Sequence, residues 1–179
     1  MRPESICISQ LQFSFIPGEP IVSIPEMKIS AGSVTVVLGG NGTGKTTLLK
    51  LIGKILSPDR GEIIFSEKSG SGSMIYIHQN PHLLKGTVEQ NFKLLLPEII
   101  GKNKKNSTHP EQSGSSVQPA GALGSMLCQM GLGGFEKRDV IKLSGGERKR
   151  VAIACAVLSD RDIILMDEPT AHLDEQSIL

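Results

Sequence analysis

Leu11, Phe13 and Phe15 recur at a period of two near the start of the chain, the pattern of a strand with one buried face, and Pro17-Gly18 then turns the chain back. A second strand is predicted near residues 21–24, cut short by Pro25, which has no N–H to give to a ladder. The apolar run Val34, Thr35, Val36, Val37, Leu38 predicts a further strand. The period then becomes helical at Leu48, Leu49, Ile52, Ile55 and Leu56, and Ser57-Pro58-Asp59-Arg60-Gly61 stops that helix. Strands follow at 62–65 and 74–78. Thr87 and Gln90 fit a capping box, so a helix should run from Val88 toward Leu96, with Pro97 near its end. A short helix over 123–130, a longer one over 145–158 and a strand over 163–166 complete an α/β pattern without internal repeats.

Between residues 101 and 121 the chain shifts to Lys, Asn, Ser, Gly, Pro and Gln, with too few apolar side chains to repay the entropy of ordering. A mobile surface insertion is expected there, and its Lys102, Lys104 and Lys105 read as a solvated loop. The whole chain of 179 residues, 39% hydrophobic and 21% charged, has the balance of one soluble globular domain rather than a fibre or a disordered tail. A formal charge of +1 and 3% aromatic residues leave neither a basic face nor a stacking platform, so nucleic acid is not an expected partner. No apolar run reaches the roughly 18 residues of a membrane span, and Met1-Arg2-Pro3-Glu4-Ser5 lacks the apolar stretch of a signal peptide. A cytoplasmic location is expected. Cys7, Cys128 and Cys155 are odd in number and far apart, without metal or redox spacing, and are expected to be reduced and mostly buried.

Candidate chemistry enters at residues 39–46, Gly-Gly-Asn-Gly-Thr-Gly-Lys-Thr, which have the spacing G-x-x-x-x-G-K-[ST] between the predicted strand at 34–38 and the helix after it. Glycines here permit backbone angles and close approaches that a Cβ would block, so N–H groups can converge on phosphate oxygens at a helix N-terminus. Gly39, Gly40, Asn41, Gly42, Thr43, Gly44, Lys45, Thr46 and Thr47 are the candidate nucleotide-binding residues. Lys45 would reach the β- and γ-phosphates, and the Thr46 hydroxyl would ligate Mg²⁺.

Ile163-Ile164-Leu165-Met166 is an apolar strand that runs into Asp167 and Glu168, which places two carboxylates at the carboxyl edge of a sheet, where ligands of open α/β sheets collect. Asp167 can hold the Mg²⁺ and Glu168 can orient or deprotonate an attacking water; an acidic helix cap is the plainer alternative.

Leu143-Ser144-Gly145-Gly146-Glu147 completes the set, and with it the chain resembles the ATP-binding cassette family, whose signature motif these residues match. Gln79 looks like the family's Q-loop glutamine, Asp167-Glu168-Pro169-Thr170 resembles its extended acidic motif, and Ala171-His172-Leu173-Asp174 is similar to its D-loop. The resemblance implies a P-loop NTPase core with a mostly parallel sheet, an N-terminal antiparallel β part and an inserted helical subdomain. Residues 1–79 and 159–179 would form the nucleotide-binding core, and residues 80–158 the helical arm, within a single ATPase domain. It implies ATP and Mg²⁺ as cofactors, Glu168, Lys45 and Gln79 as catalytic residues, and Thr46, Gln79 and Asp167 as the metal set. It further implies that Ser144, Gly145, Gly146 and Glu147 act on the nucleotide of a second ATPase subunit, identical or different, with Asp174 at that junction. Phe15 is either an aromatic that stacks on adenine or a core side chain. Leu83 and Leu84 are either a dock for a membrane partner or core packing.

The implied function is an ATP-hydrolysing subunit that powers transport through a separate integral membrane partner, peripheral on the inner face of the cell membrane; a catalytically silent or soluble cassette module is the alternative. The family pattern continues beyond Asp174 to a further strand and a switch histidine, whereas this sequence stops at Leu179. His172 lies within the D-loop match and does not substitute, so ATP binding is expected with more force than turnover.

Overall fold

The computed structural model describes residues 4–65, 74–95, 119–159 and 161–170. They cluster into two compact units: the first takes the described residues up to Tyr76 together with Arg161–Asp167, the second those from Ile77 onward and from Glu168 onward.

In the first unit β1 (Glu4–Ile16), β2 (Glu19–Ser30) and β3 (Arg60–Phe65) form an antiparallel sheet in the order β2-β1-β3. The buried side chains of β1 are Ile6 and Ile8, then Leu11 and Phe13, so the inward parity changes between residues 8 and 11. β2 changes with it, since Val22 and Ile24 pack on the core before Pro25, and Met27 and Ile29 after it. The cause is local. Gln10 has a left-handed backbone, φ 49°, and the β1–β3 register slips between Ser9 and Gln12. Gly61 (φ 79°) lies against the Gln10 carbonyl where a Cβ would collide. Pro25 therefore does not end β2. It sits on an edge strand, between the pairs Ser9–Glu26 and Leu11–Ile24, where its missing N–H breaks no interior ladder.

α1 (Lys45–Ile52) buries Leu48, Leu51 and Ile52 in the same core as Leu165. It ends at Gly53, short of the predicted Leu56, because Lys54 turns into the left-handed region, φ 55°, through which an α-helix does not continue. β4 (Met74–Ile77) pairs with β5 (Ile163–Met166) in a two-stranded sheet. The strand predicted at 34–38 is not formed: residues 33–40 are irregular, with Val34, Val36 and Leu38 94%, 70% and 86% exposed. A strand needs a neighbour for its N–H and C=O groups. None of the described strands pairs with this run, so its apolar composition alone does not make it one.

The second unit is helical. α2 (Val88–Leu95), α3 (Pro119–Gln129), a 3₁₀ turn (Val140–Lys142) and α4 (Gly145–Val157) enclose a core of Val88, Phe92, Leu123, Leu127, Leu132, Val140, Leu143, Val151, Ala154 and Cys155. The free amides at the start of α2 are all used. Thr87 and Gln90 close the predicted capping box, with Thr87 N–H to Gln90 Oε1 at 2.8 Å and Gln90 N–H to Thr87 Oγ1 at 3.2 Å. Val88 and Glu89 N–H donate to the Arg138 and Glu136 carbonyls. Of the expected insertion, residues 101–118 lie outside the described residues, while 119–121 belong to the first turn of α3. Pro119 marks that start, since proline suits the first helical position. The cysteines are free; Cys155 is buried and Cys7 half-buried, and Cys128 alone departs from the expected burial, being exposed. Cys128 lies in the last turn of α3, on the face away from buried Leu123 and Leu127.

A candidate nucleotide-phosphate site

The loop 39–44 leads straight into α1. Gly44, at φ 85°, caps that helix without any side-chain hydrogen bond, and a Cβ there would lie 2.9 Å from the Ile21 carbonyl. Only glycine satisfies both demands. The first amides of α1 thus carry no side-chain cap, the condition for receiving an anion. Thr43 Oγ1 donates to the Gly40 carbonyl at 2.9 Å, and Lys45 Nζ arches over the loop to the carbonyls of Gly39 (2.8 Å) and Gly40 (2.6 Å). Asn41 and Gly42 are exposed and Thr47 is buried at the helix start.

Thr46 and Asp167 meet in this unit: the Thr46 hydroxyl donates to Asp167 Oδ1 at 2.9 Å. Tyr76 donates to the other oxygen, Oδ2, at 3.1 Å. Asp167 is buried at the end of β5, and burial, reinforced by its charge, holds the Tyr76 phenol above its ordinary pKa and so protonated. A hydroxyl and a carboxylate side by side are hard oxygen donors of the kind Mg²⁺ takes. Among the described residues no cluster of three or more His, Cys, Asp and Glu forms a full metal cage. A sparse oxygen set fits a cation that keeps waters and phosphate oxygens as its remaining ligands.

In the helical unit, Gln79 Nε2 donates to Glu168 Oε2 at 2.5 Å. Glu168 has a left-handed backbone, φ 48°, and its carbonyl accepts a hydrogen bond from Lys149 Nζ. Ser144 caps α4: Glu147 N–H donates to Ser144 Oγ at 3.2 Å, and Ser144 N–H donates to Glu147 Oε2 at 2.6 Å. That bond from Ser144 holds the Glu147 carboxyl below its ordinary pKa, with Arg138 3.6 Å away adding to it. Gly145 faces open space, so the helix start carrying the signature residues is uncrowded.

Phe15 is 62% exposed, with its ring edge-on to buried Phe13 at 4.9 Å, which removes the core alternative. Leu83 packs partly on the helical core, whereas Leu84 is 64% exposed. The D-loop residues, Asp174 included, lie outside the described residues. Sequence reasoning missed Tyr76 and Lys149. Tyr76 is the chain's one tyrosine and lies in a strand leading to Gln79, a signal that could have been followed. Lys149 sits in the run Arg148-Lys149-Arg150, which reads as a solvated face, and nothing in that run shows that its middle member is buried.

A family profile described as ABC transporter matches residues 22–171. The chain belongs to the ABC transporter family. It is 31% identical over 170 residues to the energy-coupling factor transporter ATP-binding protein EcfA2 of Methanospirillum hungatei, covering 93% of this chain and 42% of that one. It is 36% identical over 157 residues to the taurine import ATP-binding protein TauB of Yersinia pestis, covering 88% and 58%. The chain thus spans about half the length of these curated relatives. Among solved structures, a putative ABC transporter ATP-binding protein from Pyrococcus furiosus aligns with TM-score 0.77 and 25% identity over 97% of this chain and 80% of that one. The cbiO1 protein of Clostridium perfringens, part of the transporter complex cbiONQ, aligns with TM-score 0.71 and 26% identity over 99% and 70%. This α/β chain shares the fold of ABC ATP-binding domains.

Proposed function

We propose that this chain is the ATP-binding and ATP-hydrolysing subunit of a transporter whose membrane-spanning part is a separate polypeptide. The observation that carries the reading is the Thr46–Asp167 hydrogen bond, which brings together the loop hydroxyl and the strand-end carboxylate that would hold a phosphate-bound cation. Lys45 and the amides at the start of α1 take the phosphates, and Phe15 offers its exposed ring to the adenine. Thr46 and Asp167 would hold Mg²⁺. When bound, that ion neutralises charge on the phosphate oxygens.

Glu168 is the residue that orients the attacking water and takes its proton, and Gln79, bonded to it at 2.5 Å, fixes the carboxylate; Gln79 is also assigned to the metal set on the family resemblance. Ser144, Gly145 and Gly146, at the uncrowded start of α4, act on the nucleotide of a second ATPase subunit, with Glu147 stabilising the cap. Asp174 belongs to that junction on the family resemblance alone. Phosphate cleavage then breaks the link between two subunits, a clamp motion that a membrane partner can harness. No helix among the described residues is long and apolar enough to cross a membrane, and attachment at the inner membrane face is assigned to the partner on the family resemblance. The roles named for the relatives, taurine import and energy coupling among them, support transport as the output.

The test is ATP turnover of the protein recovered from its own solubilised membranes, beside its Glu168→Gln variant. Turnover lost in the variant, and a polytopic membrane protein recovered in equal amount, are the expected results. Equal activity in both would remove Glu168 from its role, and no turnover in either, with no membrane protein recovered, would favour a silent nucleotide-binding module.

A further inference from the structure

Lys149 is among the most buried side chains of the protein, 1% exposed, although it carries an ammonium group. Burying that group is costly unless its hydrogens find acceptors, so its location is a constraint rather than an accident. From the second turn of α4 its Nζ reaches the main-chain carbonyl of Glu168, within the same compact unit. Glu168 is one of three non-glycine residues at positive φ among the described residues, with φ 48°. An L-residue holds that conformation only where its surroundings over-determine it. The left-handed turn follows β5 directly, and from it the Glu168 side chain meets Gln79 at 2.5 Å.

We infer that Lys149 is a positioning residue for ATP hydrolysis: by holding the Glu168 carbonyl, it fixes the left-handed backbone that aims the Glu168 carboxylate. The inference rests on the reading of Glu168 given above. The ammonium is placed against a main-chain carbonyl. It acts through its hydrogen bond to the peptide group that carries the reacting side chain. Without the bond, Glu168 relaxes toward ordinary backbone angles and its carboxylate leaves the line of attack, a misplacement that lowers the rate of the chemical step and leaves ATP binding as it was. Lys149 also lies five residues after Ser144, on the helix that Ser144 caps, so its side chain links the signature helix to Glu168.

The experiment uses the intact protein with its membrane partner and compares Lys149→Met, which keeps the length and packing but removes the donor, with Lys149→Arg, Glu168→Gln and the Lys149→Met/Glu168→Gln double variant. Single-turnover and steady-state rates are measured beside equilibrium ATP affinity. The expected results are a kcat about 10- to 100-fold lower in Lys149→Met, unchanged ATP affinity, partial recovery in Lys149→Arg, and a double variant no slower than Glu168→Gln alone. A wild-type rate in Lys149→Met would overturn the proposal. So would parallel losses of affinity and rate, no recovery with Arg, or losses that multiply in the double variant. Should Lys149→Met lose cooperative unfolding, Lys149→Gln replaces it, and full activity there with the wild-type hydrogen-exchange pattern around Glu168 would likewise overturn the proposal. Full turnover in Glu168→Gln would instead sink the assignment of Glu168, whereas loss there with none in Lys149→Met would sink only the role of Lys149.

Discussion

Tyr76 donates its phenolic hydrogen to Asp167 Oδ2 at 3.1 Å, leaving the carboxylate held from two sides, with Thr46 on Oδ1 at 2.9 Å. A carboxylate that must present one oxygen to a cation is best fixed by a donor on the other. Removing such a supporting partner typically weakens metal affinity or activity by about 10-fold or more. Tyr76→Phe is therefore expected to raise the Mg²⁺ concentration needed for half-maximal ATP turnover by about tenfold, with the fold intact by circular dichroism. An unchanged Mg²⁺ titration would show that Tyr76 serves packing alone.

Asn91 is buried and ties down the loop before α2. Its Oδ1 accepts from Leu84 N–H at 2.7 Å, and its Nδ2 donates to the carbonyls of Leu84 (2.8 Å) and Thr87 (3.1 Å). Asn91→Leu would keep the volume and strand those backbone groups, at a cost of about 2–4 kcal/mol. Urea unfolding should show a lower midpoint with an unchanged slope.

Ser144→Ala removes the hydroxyl that caps α4 and should destabilise the helical unit by about 1 kcal/mol. Glu147 adds a pH dependence. Its carboxyl lies below its ordinary pKa, first because Ser144 N–H bonds to it, so its stabilising contribution is complete above the ordinary carboxylate range and is lost as pH falls through the folded value. Glu147→Gln keeps an acceptor but cannot titrate. Denaturation curves taken from neutral to acidic pH should show the wild type losing its advantage over Glu147→Gln on the acid side, and parallel curves would remove the pH claim.

Burial pushes the Cys155 thiol up to about 12, while Cys128 is exposed. At pH 8 only about one Cys155 side chain in ten thousand would be thiolate. Native protein treated with iodoacetamide should carry the label at Cys128 and none at Cys155, with Cys155 labelled only after denaturation. Equal labelling, read by mass spectrometry, would show that the helical core opens readily.

The helices were legible because their caps are written locally: Thr87 with Gln90, and Ser144 with Glu147, each need only a three-residue spacing. The phosphate loop was legible because Gly44 has no tolerable substitute. Residues 34–38 misled because an apolar run states a need for burial without stating what pairs with it. Pro25 misled for a related reason, since its tolerance depends on lying at a sheet edge beside Gln10, a relation between strands that neither strand reveals alone. Lys149 was hidden between two arginines. Which member of a basic run turns inward is set by the carbonyl it meets, and that carbonyl is 19 residues away.

The change of parity at Gln10 also bears on how this stretch of chain can change length. Deleting Gln10 would bring Ile6, Ile8, Leu11 and Phe13 to one parity, but it would break the match to β2, whose own parity changes at Pro25 between the pairs Ser9–Glu26 and Leu11–Ile24. Gly61 on β3 and Pro25 on β2 are fitted to the same kink, so an insertion or deletion in one strand would have to be matched in both neighbours at once. Single-residue length changes should therefore gather in the turn at Pro17-Gly18 and not within these three strands.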